Sequence, residues 1–255
     1  MSKNNYYTYI SFPTMKERDI IRDKYFNLQE LRIPNDDIFR PKISFDPLAV
    51  PSEEIISIFE NQIPWEYSTL VNEEIFKLEV QFLQFIHYYQ NAQMDTHNIC
   101  MYRPLLNMSA ESYIIALNSV KEKIILMTIN LVLAGELYKE DKNKYTSRRH
   151  SFVIKDLKSQ EGNYLSLKNL ISSIENYHVI LKTHRLDDAR NNAVHNLSDL
   201  QMRFKFAKND FSTTIQAPNS NTGYSKIINS SKLLYPYLKQ MISDFGALLV
   251  EKAKK

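Results

Sequence analysis

The sequence predicts an all-α protein: an up-and-down helical bundle of about four long helices, preceded by a helical N-terminal extension. Three observations predict it. Glycine is scarce, four in 255 residues, which argues against the many tight turns that sheets need. Apolar residues recur every three or four positions over long stretches, the spacing that gives a helix one buried face. The middle of the longest stretch is apolar on nearly every side, as in a helix at the centre of a bundle.

Each element has its own signal. Residues 6–12, YYTYISF, alternate aromatic and β-branched residues with small polar ones and read as a short strand or extended arm. Residues 16–31 have helical spacing. Four prolines in 32–51 predict irregular chain draped over the surface. A capping serine and early acids open a helix at 52–63 that Pro64 should stop, with Trp65 anchoring the extension to the bundle. In 71–92, Ile75, Leu78, Phe82, Phe85 and Tyr89 share one helical face. A polar link containing Pro104 follows over 93–107, and the longest helix covers 109–143. Residues 146–163 read as a loop or short helix and 164–184 as a helix. The next helix covers 185–206, with Asp187 or Asp188 as its cap. A turn-rich connection spans 207–223, and a closing helix over 224–253 is kinked at Pro236. The organisation expected is an extension over 1–105, mostly helical with proline-rich loops, and a bundle over 106–255.

Composition excludes several functions. With 44% hydrophobic and 24% charged residues the chain is globular. No G-x-G-x-x-G or G-x4-G-K-[ST] occurs, which excludes a dinucleotide fold and a P-loop. A net charge of +3 permits nucleic-acid contact without requiring it. Cys100 is the sole cysteine, so neither an intrachain disulfide nor a thiolate cluster can form; with no evident helix start or basic neighbour it reads as inert. The N-terminal residues lack the apolar core of a signal peptide. The longest apolar run, 124–134, is broken by Thr128 and Asn130 and is too short to span a bilayer. A cytoplasmic protein with no membrane association and no cofactor is expected.

The chemistry concentrates in LDDARNNAVHNLSD, residues 186–199. With Asp187 or Asp188 as cap, Arg190 and Asn191 fall in a first helical turn, where unpaired amides and the helix dipole favour an anion. Asn191 and His195 are four apart and share a face. Arg190 lies about 140° round from His195, so the two flank one edge. A guanidinium clamps a phosphate and an imidazole moves a proton near neutrality, a combination that can cleave RNA without metal. His195 would take or donate the proton, Arg190 would stabilise charge on phosphorane oxygens, and Asn191 would orient the histidine or a phosphate oxygen.

This RNNAVH stretch, 190–195, resembles the R-x4-6-H motif of the HEPN superfamily, in the form with a polar residue directly after the arginine. The resemblance covers residues 106–255. It implies a metal-independent endoribonuclease or an RNA- and nucleotide-binding domain, acting as a homodimer in which both copies of the motif meet in one cleft. It also implies a role as a toxin or anti-phage effector, with a possible antitoxin or defence-system partner protein. HEPN toxins paired with a nucleotidyltransferase often carry tyrosine two residues after the histidine; here that position is Leu197.

Plainer readings stand beside these. His195 alone could be a structural histidine, and Arg190 could pair with Asp187. His178, His184 and His195 with Asp187 and Asp188 match no zinc spacing, so no metal is expected. Arg148 and Arg149 with His150, and Asn192, Arg203, Lys205 and Lys208, either hold RNA phosphates or are solvated. Phe204 and Phe206 are expected in the core. Glu175 either polarises His195 or is a surface acid. The apolar face of 124–134 serves a dimer interface or a monomer core. Two other functions remain open: a non-catalytic RNA or nucleotide sensor, and a structural helical protein whose extension binds another protein.

Overall fold

The computed structural model describes residues 11–34, 52–94, 99–140, 150–186, 203–206, 213–216 and 220–254, with side chains placed in 11–34, 63–94, 102–133, 153–186 and 223–254. The fold is all-α. Its six described helices are α1 (Met15–Lys24), α2 (Ser52–Met94), α3 (Ile99–Glu140), α4 (His150–Lys158), α5 (Leu165–Thr183) and α6 (Ser220–Ala253). A short 3-10 turn covers Leu28–Leu31, and two four-residue strands, β1 (Arg203–Phe206) and β2 (Thr213–Gln216), pair antiparallel. Among the described residues no helix is long and apolar enough to cross a membrane.

Two compact units divide the chain. One holds 1–28, 76–118 and 179–235; the other holds 29–75, 119–178 and 236–255. The boundaries fall inside α2, α3, α5 and α6, and in α6 the division comes at Pro236. Residue 105, the boundary expected from sequence, lies within α3.

The first unit has an aromatic core. Phe26 stacks on Phe82 (4.4 Å between centroids, 25°) and on Tyr235 (5.0 Å, 19°). Phe82 meets Tyr113 at 5.2 Å, and Phe85 meets Tyr113 at 6.0 Å and Tyr224 at 6.3 Å. Such pairs add about 0.5–1.5 kcal/mol each beyond the area they bury. α1 starts where it does because Thr14 and Glu17 form a reciprocal capping box. Its Arg22 sends Nε and Nη2 to Glu79 Oε1, at 2.9 and 2.7 Å, and Nη1 to Asp19 at 2.8 Å.

The second unit has an aliphatic core, in which Ile75, Ile124, Leu157, Leu167, Leu170, Ile174, Leu248 and Leu249 are all fully buried. Asn72 ties the chain after the 3-10 turn to α2, accepting from the Ile33 amide and donating to its carbonyl, both at 2.8 Å. Glu251 accepts from the Leu165 and Ser166 amides at 3.1 and 2.9 Å, which satisfies two of the four open donors at the start of α5. The buried Glu74 carboxylate is held by Lys123 and by Ser119 (3.2 Å).

The structure corrects several expectations. Pro64 does not stop its helix, and Pro104 does not mark a link: α2 and α3 run through both. Proline removes one amide donor and crowds the preceding turn, costing about 3 kcal/mol; in α2 the fully buried Val71, Ile75 and Leu78 just beyond outweigh it. Trp65 is 39% exposed and is no anchor. Cys100 falls in the first turn of α3, a helix start the sequence reading had missed. Ser11 and Phe12 have no regular structure, and residues 6–10 of the expected strand or arm lie outside the described residues. The helix expected to continue to 206 does not: Arg203–Phe206 is a strand paired with Thr213–Gln216. The alternation R-F-K-F against T-T-I-Q has a period of two, which a helix cannot bury on one side.

The Glu79 side chain is 4% exposed, so its charge depends on Arg22. Arg22→Ala should lower the unfolding free energy by about 3–5 kcal/mol, the cost of a buried charge stripped of its partner. Urea titration of Arg22→Ala should show this loss, and adding Glu79→Gln in the same chain should recover part of it.

Candidate functional site

Helix α5 delivers the chain to the RNNAVH segment. It closes with His184 N donating to the Ile180 carbonyl (3.0 Å) and Arg185 N to the Lys182 carbonyl (2.9 Å). Arg185 has φ 57°, a left-handed conformation usual for glycine at a helix end. For an arginine it costs about 1–2 kcal/mol. Leu181 before it and Leu186 after it are both buried and hold the turn in place. Residues 187–202 are not among those described, so Arg190, Asn191, Asn192 and His195 lie outside them, as do Asp187, Asp188, Arg148, Arg149 and Lys208. The chain is described again at β1, where the strand register puts positions 203, 205, 214 and 216 on one face and 204, 206, 213 and 215 on the other. Arg203 and Lys205 thus share a face with Thr214 and Gln216, and Phe204 and Phe206 share the opposite one.

Two residues near the motif are placed. Glu175 pairs with Lys158 at 2.8 Å with both side chains nearly half exposed, which is the surface-acid reading. His178 Nδ1 lies 3.3 Å from the buried Lys121 ammonium. Among the described residues no group of three or more His, Cys, Asp or Glu is placed to hold a metal ion.

The unit that contains 179–235 also holds a polar stripe that sequence reasoning missed. Arg103, Asn107 and Glu111 are spaced by four along α3. Asn107 accepts from the Tyr224 hydroxyl, and Tyr89 and Ser225 share a hydrogen bond of 2.8 Å. Burial pushes the Tyr224 phenol up to about 12, with Arg103 pulling it down and Glu111 adding to the rise. One Glu111 oxygen is buried without a hydrogen-bond partner among the described residues. The four-residue spacing was visible in the sequence, but reading Pro104 as a helix breaker removed the helix that gives it meaning.

A second unforeseen cluster surrounds His87 of α2. Ser11 Oγ and Asn91 Nδ2 each lie 3.1 Å from Nε2, and Glu17 Oε1 lies 3.9 Å from Nδ1. The other Glu17 oxygen accepts from the Thr14 amide and hydroxyl, both at 2.7 Å. Burial holds the imidazole below its ordinary value of 6.5, partly offset by Glu17. The Thr14 bonds hold Glu17 below 4.5, with His87 adding to the effect. The ring is therefore neutral and the carboxylate charged at neutral pH. Ser11 and His87 are 76 positions apart, and no local pattern joins them.

In the other unit a half-open groove of about 300 Å³ runs between residues 30–34 and α6, lined by Ile33, Ile242 and Gly246 among others, with Lys239 and Glu30 4.0 Å apart at its edge. Set against known protein families, curated proteins and solved structures, the chain matches none of them.

Two measurements follow from these geometries. Tyr224→Phe leaves the Asn107 amide without its hydroxyl partner and should cost about 1–3 kcal/mol of unfolding free energy. For His87, the folded state resists a proton that the unfolded chain accepts below 6.5. Its stabilising contribution is present above that pH and is lost as pH falls toward the depressed folded value; Glu17 adds a further loss below 4.5. The unfolding free energy should therefore drop between about pH 7.5 and pH 5.5, and His87→Gln should flatten that drop.

Proposed function

We infer that the chain is a metal-independent endoribonuclease of HEPN type, a toxin or anti-phage effector acting as a homodimer on RNA. The observation that carries this reading is the RNNAVH segment, which begins seven residues after the end of α5 in an all-α chain. The guanidinium, amide and imidazole of Arg190, Asn191 and His195 are the group types that the reaction needs.

The reaction uses no cofactor. His195 removes the proton of a ribose 2′-hydroxyl, and the oxygen attacks the adjacent phosphorus. The bond to the 5′-oxygen breaks, and the leaving oxygen takes a proton from an imidazolium. The products are a 2′,3′-cyclic phosphate and a free 5′-hydroxyl. Arg190 stabilises the charge that grows on the non-bridging oxygens, and Asn191 orients the base or a phosphate oxygen. Pairing two copies of the motif supplies one imidazole to accept a proton and another to donate one. The same residues would bind a nucleotide or RNA end without cutting it, so the test must read cleavage.

Purified protein incubated with total RNA and a chelator should produce fragments ending in cyclic phosphate. His195→Ala and Arg190→Ala should each slow cutting by about 10²–10⁴-fold while the protein stays folded. Cutting by His195→Ala at the wild-type rate in chelator would overturn the assignment. Growth after induced expression checks the biological role, with toxicity expected from the wild type and lost in His195→Ala.

A further inference from the structure

The cluster at His87 has the order nucleophile, base, acid. Ser11 is exposed, and its Oγ lies 3.1 Å from His87 Nε2. The opposite ring nitrogen faces Glu17 Oε1 at 3.9 Å. Asn91 Nδ2, a donor, also lies 3.1 Å from Nε2. A nitrogen approached by a donor carries a lone pair, so the ring proton sits on Nδ1, toward the carboxylate. Nε2 then has one lone pair, which Asn91 Nδ2 and Ser11 Oγ share, and it accepts the Ser11 proton when Asn91 yields its place, in the tautomer that a general base needs.

The acid is held for this role. Thr14 binds one Glu17 oxygen from both its amide and its hydroxyl. The capping box needs only that oxygen, and the other is left to face the ring. The 3.9 Å separation shortens readily once the imidazolium forms, as catalytic hydrogen bonds commonly do. The nucleophile is held too. Arg18 Nε donates to the Pro13 carbonyl at 3.0 Å, and the guanidinium lies 5.1 Å over the Phe12 ring. This braces the chain between Ser11 and α1 and sets a fixed positive charge beside it.

We propose that Ser11 is a nucleophile toward small activated carboxylic esters, with His87 as its general base and Glu17 and Asn91 as positioning residues. Ser11 Oγ forms a bond to the ester carbonyl carbon as its proton passes to Nε2. The carbon–oxygen bond to the leaving alcohol breaks, and the alcohol takes that proton. Water then attacks the acyl-serine, gives its proton to Nε2, and the acid departs as Oγ recovers a proton from the ring. No oxidant, metal or further reactant enters. Because Ser11 is exposed, small esters reach it directly.

The test uses the full chain and two probes, neither containing RNA, so its result is independent of the ribonuclease reading. An alkyl fluorophosphonate should lose fluoride and leave one adduct, mapped by peptide mass to Ser11. p-Nitrophenyl acetate should give a burst of nitrophenolate that Ser11→Ala, a surface change that leaves the fold intact, abolishes. His87→Gln should slow labelling by about a hundredfold. Glu17→Gln should slow it by about tenfold and move the midpoint of its pH dependence downward, because the carboxylate raises the imidazole. A merely structural glutamate would not move that midpoint, and an unmoved midpoint would remove Glu17 from the proposal. An adduct on other serines only, or a burst in Ser11→Ala equal to wild type, would overturn the whole.

Discussion

The file of aromatic rings through the first unit fixes more of this protein than any other feature. Tyr235, Phe26, Phe82, Tyr113, Phe85 and Tyr224 follow one another at centroid separations of 4.4 to 6.3 Å. They come from the chain after α1, from α2, from α3 and from α6. Ring contacts are directional, so they set the rotation of α2 about its own axis as well as its distance from its neighbours. That rotation decides which residues look elsewhere. With Phe82 and Phe85 turned into the file, His87 and Asn91, spaced by four on α2, meet Ser11 and Glu17 in one cluster. The position of the imidazole thus follows from rings it does not touch.

Two buried carboxylates of α2 are held by cations from other elements. Glu79 lies under Arg22, and Glu74 under Lys123 and Ser119. Each carboxylate would be costly alone, and each partner comes from a different element. An arrangement that slid one element by a turn would strand an acid, so these pairs select against misregistered packing in both units. Glu251 of α6 does the same work at the start of α5, with backbone amides in place of a cation.

The long helices were legible because their periodicity is sustained. Residues 71–92 and 164–184 repeat the 3.6-residue pattern for several turns, and both are helical. Where one residue was made to decide, the reading failed. Pro64 and Pro104 each remove a single hydrogen bond, and the burial of dozens of side chains along the same helices outweighs that local cost. The ribbon at 203–216 was hidden for the opposite reason: four residues of alternation are too few to stand out inside a window that otherwise looks helical. RNNAVH was legible as a pattern of chemical types, and its residues lie outside those described. The His87 cluster was not legible at all, since its members meet only through tertiary packing. The stripe of Arg103, Asn107 and Glu111 became visible once α3 was known to start at Ile99.

Arg185 joins these themes. An L-residue other than glycine, asparagine or aspartate is costly in the left-handed region, and a glycine would have made the same turn without strain. Leu181 and Leu186 flank the turn and are both buried, so any relaxation that exposed either would lose its burial. Exposing a leucine costs about 1.5–3 kcal/mol, which exceeds the strain. The chain therefore leaves α5 in one direction, with a cation at the corner and Arg190 five residues on. A glycine there would keep the turn but loosen its hinge, because glycine samples both hands of φ. Strain at this corner is the form that rigidity takes in a chain with few glycines.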